Sequence, residues 1–496
     1  MSTIELGSKK LSVEDIEAVA RGAPVSISAK ALKNFKANAS FFSSRAASET
    51  IYGFATGFGP MEEHAVPESA REDLQKNLIR SHALGMGEYL SQEDVRAVMA
   101  VRLASLLAGY SGIYADLPLL LAALLNKKIT PRIPAHGSVG ASGDLVQLAH
   151  VGLVLLGEGE VLYKGKIVPA HAALAREKIK PVRVKTREGL ALMNGTAAMT
   201  GIAAITLARA ERLLRVALLL SALLYEISGA YEDYIAEEVA AARSHGGQRY
   251  VMKRMRALLV GGNRLTKRHA HSARGQHPYS IRCVPQVLGP IADTLRTARM
   301  IVETEIRSAT DNPLTVTGKG IYHAGNFHGD YVAFEMDKIK IAFTKLSILS
   351  ERHVNYLSNP ALNGILPPFV NQGTPGIDLG LQGLQFVATS TAAENQTLSM
   401  PASIHSIPSN NENQDIVSMG TNAAILARKV LDNAFQVLTV EAVFIAYAIE
   451  HLGIEKDLGR GTRAFFRSLK KYIPANQKTL SAKDLARMEQ FLALEM

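Results

Sequence analysis

The chain has no tryptophan and one cysteine, Cys283. One thiol excludes an internal disulfide framework and a multi-cysteine zinc site, and an intracellular compartment, the cytoplasm, is the natural expectation. The opening residues, Met1-Ser2-Thr3-Ile4-Glu5-Leu6, lack a basic segment followed by an apolar core, so no signal peptide is expected. Long uncharged apolar runs are missing too: residues 216–225 fall well short of the ~20 a membrane span needs, and no membrane partner is expected. Acidic or cysteine ligands to accompany His269, His271 and His277 are absent, so no metal is expected.

At 496 residues the chain exceeds the size at which single cores stop growing, so several packed layers or two to three subdomains are expected. Hydrophobic residues make up 47%, enough to bury a large core, and the net charge is +10. Much of the basicity clusters at 243–274, including Arg249, Lys253, Arg254, Arg256, Lys267 and Arg268. No aromatic interleaving or recognised motif accompanies it, so it reads as a solvated loop or a funnel for an anionic substrate, not a nucleic-acid site. The competing class, a basic helical nucleic-acid scaffold, predicts binding that weakens steeply with salt.

Periodicity points to a mainly α fold. Ser12 before Val13-Glu14-Asp15-Ile16 resembles a helix start, and residues 71–126 look helical. The stretch 161–168 is the only convincing strand material, a hairpin with Lys164-Gly165 at its turn. Residues 188–196 open a long helix, and from 197 the chain is helix after helix. Val332, Met336, Ile339, Phe343 and Leu346 form one apolar stripe. Residues 423–452 are apolar on most faces, as a helix buried among others would be. The expected organisation is an N-terminal region at 1–196, a long-helix bundle and oligomer core at 197–453, and a helical tail at 454–496.

One loop stands out: Gly137-Ser138-Val139-Gly140-Ala141-Ser142-Gly143-Asp144, followed by the apolar run 145–156. Asp144 with Gln147 three residues on has the look of an N-cap and its capping-box partner. The loop lacks a Walker Lys-Ser/Thr pair and the glycine spacing of a dinucleotide fingerprint. It reads either as a plain turn or as a chemical device. In Ala141-Ser142-Gly143 the unhindered Gly143 nitrogen can attack the Ala141 carbonyl if the backbone folds tightly enough. Loss of water from that ring and from the Ser142 side chain leaves a methylidene-imidazolone, an electrophile no ordinary side chain supplies.

This loop, with its Gly143-Asp144-Leu145 continuation, resembles the signature of the aromatic amino acid ammonia-lyases: histidine, phenylalanine and tyrosine ammonia-lyases and the related aminomutases. Further segments resemble that family in the same order along almost the whole chain. They are the aromatic loop at 51–60 with Tyr52; Ser81-His82; Asn194-Gly195; the run from Gln276 through Tyr279 to Arg282; Gly325-Asn326-Phe327; and Asn413-Gln414-Asp415, which is expected to open the helix ending near Leu452. Ala55 stands where the family usually has Asn.

The resemblance implies a long-helix bundle of the aspartase/fumarase-like lyase type with a smaller mixed N-terminal region. It implies the 4-methylidene-imidazol-5-one (MIO) group formed from Ala141, Ser142 and Gly143, with no metal or diffusible cofactor. Tyr52 would be the base, acidified by a positive environment, and Tyr279 would assist electrophile formation or proton handling. Arg282 would clamp the carboxylate. Asn194, Gln276 and Asn326 would add neutral hydrogen bonds, and Phe327 would pack on the electrophile or the ring. A homotetramer with sites drawn from three chains is also implied.

His82 and Gln414 carry the choice of ring. Histidine lyases resemble the chain at Ser81-His82 but place Glu where Gln414 stands. Phenylalanine lyases resemble it at Asn413-Gln414 but have an apolar residue at the His82 position. A phenol suits both residues, so the chain looks most like bacterial tyrosine ammonia-lyases. Histidine ammonia-lyase and tyrosine 2,3-aminomutase are the alternatives.

Overall fold

Alanine- and leucine-rich runs with few interior prolines favour helix, and helices carry the fold. In a computed structural model, residues 2–7, 10–185, 187–267 and 276–494 are described; Arg268, His269 and His271 lie outside them. The four longest helices among the described residues are Ala197–Ser228, Val284–Ile306, Asp330–Ser358 and Gly420–Leu452. The fold is mainly α, and the apolar stripe from Val332 to Leu346 is buried along the third of these helices. The helix Gly420–Leu452 is long and apolar enough to cross a membrane by composition, and 78% of its most apolar window is buried.

Strands are short and scattered. The expected hairpin forms, Glu160–Tyr163 antiparallel to Lys166–Pro169, with Lys164 and Gly165 in the left-handed region at its turn. It is not the only strand material: Ile4–Leu6 pairs in parallel with Val25–Ile27, and Met86–Tyr89 and Leu314–Val316 each join a further small sheet. Strands of three or four residues are too short to display a two-residue alternation.

Two other expectations change. Glu188–Met193 is a helix by itself, separated from Ala197–Ser228 by Asn194, Gly195 and Thr196, so residues 188–196 do not open a continuous long helix. The helix ending at Leu452 starts at Gly420, not at Asn413: Met419, immediately before it, takes a left-handed backbone angle, as do Asn410, Asn411 and Glu412 upstream, and the segment between is a loop. Ser12 does cap the helix Val13–Ala20, with Asp15 as its reciprocal partner.

The chain divides into two compact units, each gathered from three stretches. The first comprises Met1–Ala208, Ala298–Asp337 and Pro401–Leu426. The second comprises Arg209–Thr297, Lys338–Met400 and Ala427–Met496. Within the second, buried Asn395 donates to Ser347 Oγ at 3.0 Å and to the Val430 carbonyl at 3.1 Å. Buried His353 lies 2.7 Å from Glu441 through Nδ1 and 2.8 Å from the Ser280 carbonyl through Nε2. These polar ties fix the register of otherwise apolar helices.

Candidate active site

A cavity of about 720 Å³ opens in the first unit, and every residue lining it belongs to that unit. Tyr52, His82, Ser142, Asn194, Phe327, Asn413 and Gln414 line it, so seven of the sequence-derived candidates meet at one place.

The reactive loop is held from behind. Asp144 is fully buried, and its carboxylate does not cap the helix Leu145–Leu155 that follows it. It accepts instead from the Ala198 and Met199 amides at 2.8 and 2.9 Å, at the start of the helix Ala197–Ser228. Ser138 Oγ and Thr421 Oγ1 donate to its other oxygen. Gln147 is not the capping-box partner either; its amide donates to the Ala135 carbonyl at 3.0 Å. The expected cap is therefore a cross-link between segments, a contact local spacing cannot reveal. Burial pushes the Asp144 carboxyl upward while these four donors favour its charged form.

Ser142 sits at φ 56 and Gly143 at φ 75. For Ser142 that angle is a strained choice, of the kind that collects at functional loops. Gly143 leaves no alternative: a Cβ there would lie 2.2 Å from the Gly195 carbonyl oxygen. The two glycines pair as an isolated bridge, and the Asp144 amide donates to the Gly195 carbonyl at 2.9 Å.

The surroundings fit a prosthetic group made from Ala141, Ser142 and Gly143. Asn194 Nδ2 donates to the Ser142 carbonyl at 2.8 Å, and Gln414 Nε2 donates to Ser142 Oγ at 3.1 Å. Asn194 Oδ1, also buried, has no hydrogen-bond partner among the described residues. An orphaned acceptor beside the loop is what a bound donor would satisfy.

The Tyr52 loop rests on an apolar footing. Ile51, Phe54 and Phe42 pack together, with Phe42 and Phe54 edge to face at 5.5 Å. Gln75, fully buried on the helix Arg71–His82, donates to the Gly53 carbonyl at 2.8 Å and accepts from the Leu190 amide at 3.0 Å. One side chain thus ties the Tyr52 loop to the segment leading to Asn194. Tyr52 Oη accepts from the Gly59 amide at 3.0 Å. Burial nevertheless pushes its phenol up, and nearby Glu62 pushes the same way. Among the described residues, those lining the cavity include no Lys or Arg.

On the opposite wall, His82 ends its helix, and its Nδ1 lies 2.9 Å from the Leu78 carbonyl. Gln414 is steadied by Ser409 Oγ, which donates to Oε1 at 3.1 Å.

Other candidates lie elsewhere. Asn326 is exposed beside the cavity, its amide 3.4 Å from the Ala309 carbonyl. Gln276, Tyr279 and Arg282 belong to the second unit and do not line the cavity. Tyr279 and Arg282 occupy one short helix, Tyr279–Arg282; Tyr279 is 74% exposed, and Arg282 donates to Gln276 Oε1. His277 is engaged by Tyr234 Oη and the Ser228 carbonyl, both at 3.2 Å.

Sequence reasoning missed Glu62, Asn312 and His323, which also line the cavity, and the buried supports Gln75 and Arg102. For Arg102 the charge inside the apolar run 97–107 was the available signal; Gln75, among charged neighbours, offered none.

Residues 11–471 match the family model described as aromatic amino acid lyase. The chain is 39% identical to the MIO-dependent tyrosine 2,3-aminomutase of Streptomyces globisporus, over 95% of this chain and 91% of that one. It is 38% identical to the tyrosine ammonia-lyase of Cupriavidus metallidurans, over 95% and 92% of the two chains. It is also 38% identical to the histidine ammonia-lyase of Shouchella clausii, over 98% and 97%. The crystal structure of tyrosine aminomutase from Streptomyces globisporus superposes with a TM-score of 0.94 at 36% identity, covering 99% of this chain and 97% of that one.

Proposed function

This chain belongs to the aromatic amino acid lyase family, and we propose that it eliminates ammonia from L-tyrosine to give trans-4-coumarate. The observation that carries the choice of substrate is the placement of His82 in the cavity wall with Nδ1 turned to its own helix. His82 Nδ1 lies 2.9 Å from the Leu78 carbonyl, which can only accept, and 3.1 Å from Ser81 Oγ, which itself donates to that carbonyl; with the hydrogen on Nδ1, Nε2 is left as an acceptor. A phenol hydroxyl can donate to that nitrogen, and a phenyl ring cannot. Gln414 is neutral, so the cavity gains from it no carboxylate to pair with an imidazole.

The MIO group supplies a conjugated electrophile that turns the amino group into a better leaving group. The chain's own residues do the rest. Asn194 fixes the Ser142 carbonyl, Phe327 covers the ring, and Tyr52 Oη takes the β-proton. Since burial and Glu62 raise the Tyr52 phenol, a cation must approach before it can act as a base near neutrality. Arg282 from a further copy in a homotetramer would supply that charge and the carboxylate clamp, and Tyr279 would assist electrophile formation or proton handling. Exposed Tyr331, Phe334 and Ile341 on one helix support such an assembly.

Tyrosine 2,3-aminomutase is the second reading, favoured by the 39% identical relative of that name. Histidine ammonia-lyase is the third, on the 38% identical relative. Offering L-tyrosine, L-phenylalanine and L-histidine separately, while following ammonia, the conjugated acid and β-amino acid, decides among them. Coumarate with stoichiometric ammonia from tyrosine is expected. Urocanate from histidine in preference, or β-tyrosine as main product, would overturn the assignment.

A further inference from the structure

Arg102 lies within the helix Gln92–Leu107, where every residue from Asp94 to Leu107 is buried, and Arg102 itself is 0% exposed. A guanidinium removed from water is costly unless its charge is answered, most simply by a carboxylate on its fork. The neighbouring Arg187 has that arrangement, with its two Nη atoms 3.1 and 3.2 Å from Asp311. Arg102 does not. Its Nη2 donates to two backbone carbonyls, those of Ala191 and Asn194, the second at 2.9 Å.

Those carbonyls stand at the end of the short helix Glu188–Met193, where backbone acceptors lose their helical partners. Arg102 therefore acts as a C-terminal cap brought from another helix. The segment it caps is the wall behind the reactive loop: Asn194 donates to the Ser142 carbonyl, and Gly195 lies against Gly143. Arg102 Nε and Nη1 have no hydrogen-bond partner among the described residues.

We propose that Arg102 is a positioning residue for maturation of the loop. By gripping the Ala191 and Asn194 carbonyls it fixes the wall at 194–195, and through that wall it sets the approach of the Gly143 nitrogen to the Ala141 carbonyl carbon. The step it governs forms the Gly143 N–Ala141 C bond. The Ala141 oxygen leaves as water with the hydrogens of the Gly143 and Ser142 nitrogens. Ser142 Oγ then leaves as a second water with the Ser142 Hα, and neither oxidant nor reductant is needed. The inference rests on the reading that this loop matures, and the test separates the two.

The experiment compares full-length wild type, Arg102→Lys and Arg102→Met. Peptide mass spectrometry of folded, soluble protein gives the share of loop lacking two waters, and circular dichroism gives Tm. Wild type is expected to be fully dehydrated. In Arg102→Lys, which keeps the charge but loses the planar fork, the dehydrated share falls about tenfold with helix content retained, and in Arg102→Met it falls by up to about 100-fold, as misplacement of reacting atoms predicts. A merely structural role would lower Tm and leave the loop of the folded fraction fully dehydrated; that result overturns the proposal. Failure of both variants to fold overturns it too, because Arg102 would then be a determinant of the fold. An intact loop in wild type would instead defeat the maturation reading itself.

Discussion

The cavity has two walls, and they are built in opposite ways. On one, Gly143, Asp144 and Asn194 are buried, and backbone amides, carbonyls and a carboxylate lock the path of the chain. On the other, the 410–414 loop has exposed residues in left-handed angles, and the side chains of His82 and Gln414 line the cavity. Bond making within the backbone demands fixed geometry that a side-chain change cannot restore. Ring choice demands only a matching donor or acceptor, which one substitution can exchange. Damage to the first wall should abolish turnover, whereas damage to the second should redirect it.

The comparison breaks most severely at Ser142. Ser142→Ala removes the oxygen whose loss completes the electrophile, so turnover of tyrosine should fall by at least ~10³-fold with helix content unchanged; steady-state kinetics and circular dichroism check this. Tyr52→Phe comes next. Its loop should still dehydrate, while kcat falls by about 10²–10⁴-fold, the usual worth of a general base. Near-normal turnover would show that another group takes the β-proton.

On the exchangeable wall, His82→Leu removes the acceptor for a phenol and leaves an apolar surface. The ratio of kcat/KM for tyrosine over phenylalanine should drop by roughly 1–3 kcal/mol, about the cost of one unsatisfied polar group. An unchanged ratio would remove His82 from ring recognition.

The smallest effect tests the rigid wall through stability. Glu188, at the start of the helix leading to Asn194, is 1% exposed and accepts from the Tyr114 and Lys185 amides. Burial pushes its carboxyl up to about 7. The folded state therefore favours the protonated form over an unfolded chain with a pKa of about 4.3. That contribution is complete below about pH 4.3 and is lost as pH rises through about 7. Glu188→Gln should remove about 1–2 kcal/mol of this pH dependence, measured as denaturant midpoints at pH 5 and pH 8. A curve that keeps its full slope would assign the dependence to other groups, such as Glu226, whose carboxyl burial also raises to about 7.

Legibility in the sequence followed the same division. Long helices were readable because their apolar spacing repeats over many turns, as from Val332 to Leu346 in Asp330–Ser358. Seven of the residues lining the cavity, Tyr52, Ser142, Asn194 and Gln414 among them, were legible through the family resemblance of the short segments that carry them. Asp144 was misread because its partners, Ala198 and Thr421, are distant in sequence, and a local capping rule cannot weigh them. Gln75 went unnoticed for the same reason: a polar residue among charged neighbours on a helix looks solvent-facing until the segments packed against it are known. Glu62 and His323 lie on exposed loop positions that carry no pattern.

The buried wall is proposed to turn Ala141-Ser142-Gly143 into an electrophile. Mass spectrometry of the loop peptide from freshly purified wild-type protein tests it most directly. A peptide lighter by two waters is expected, with the loss confined to those three residues; an intact Ala-Ser-Gly backbone in protein that turns over an aromatic amino acid would rule it out.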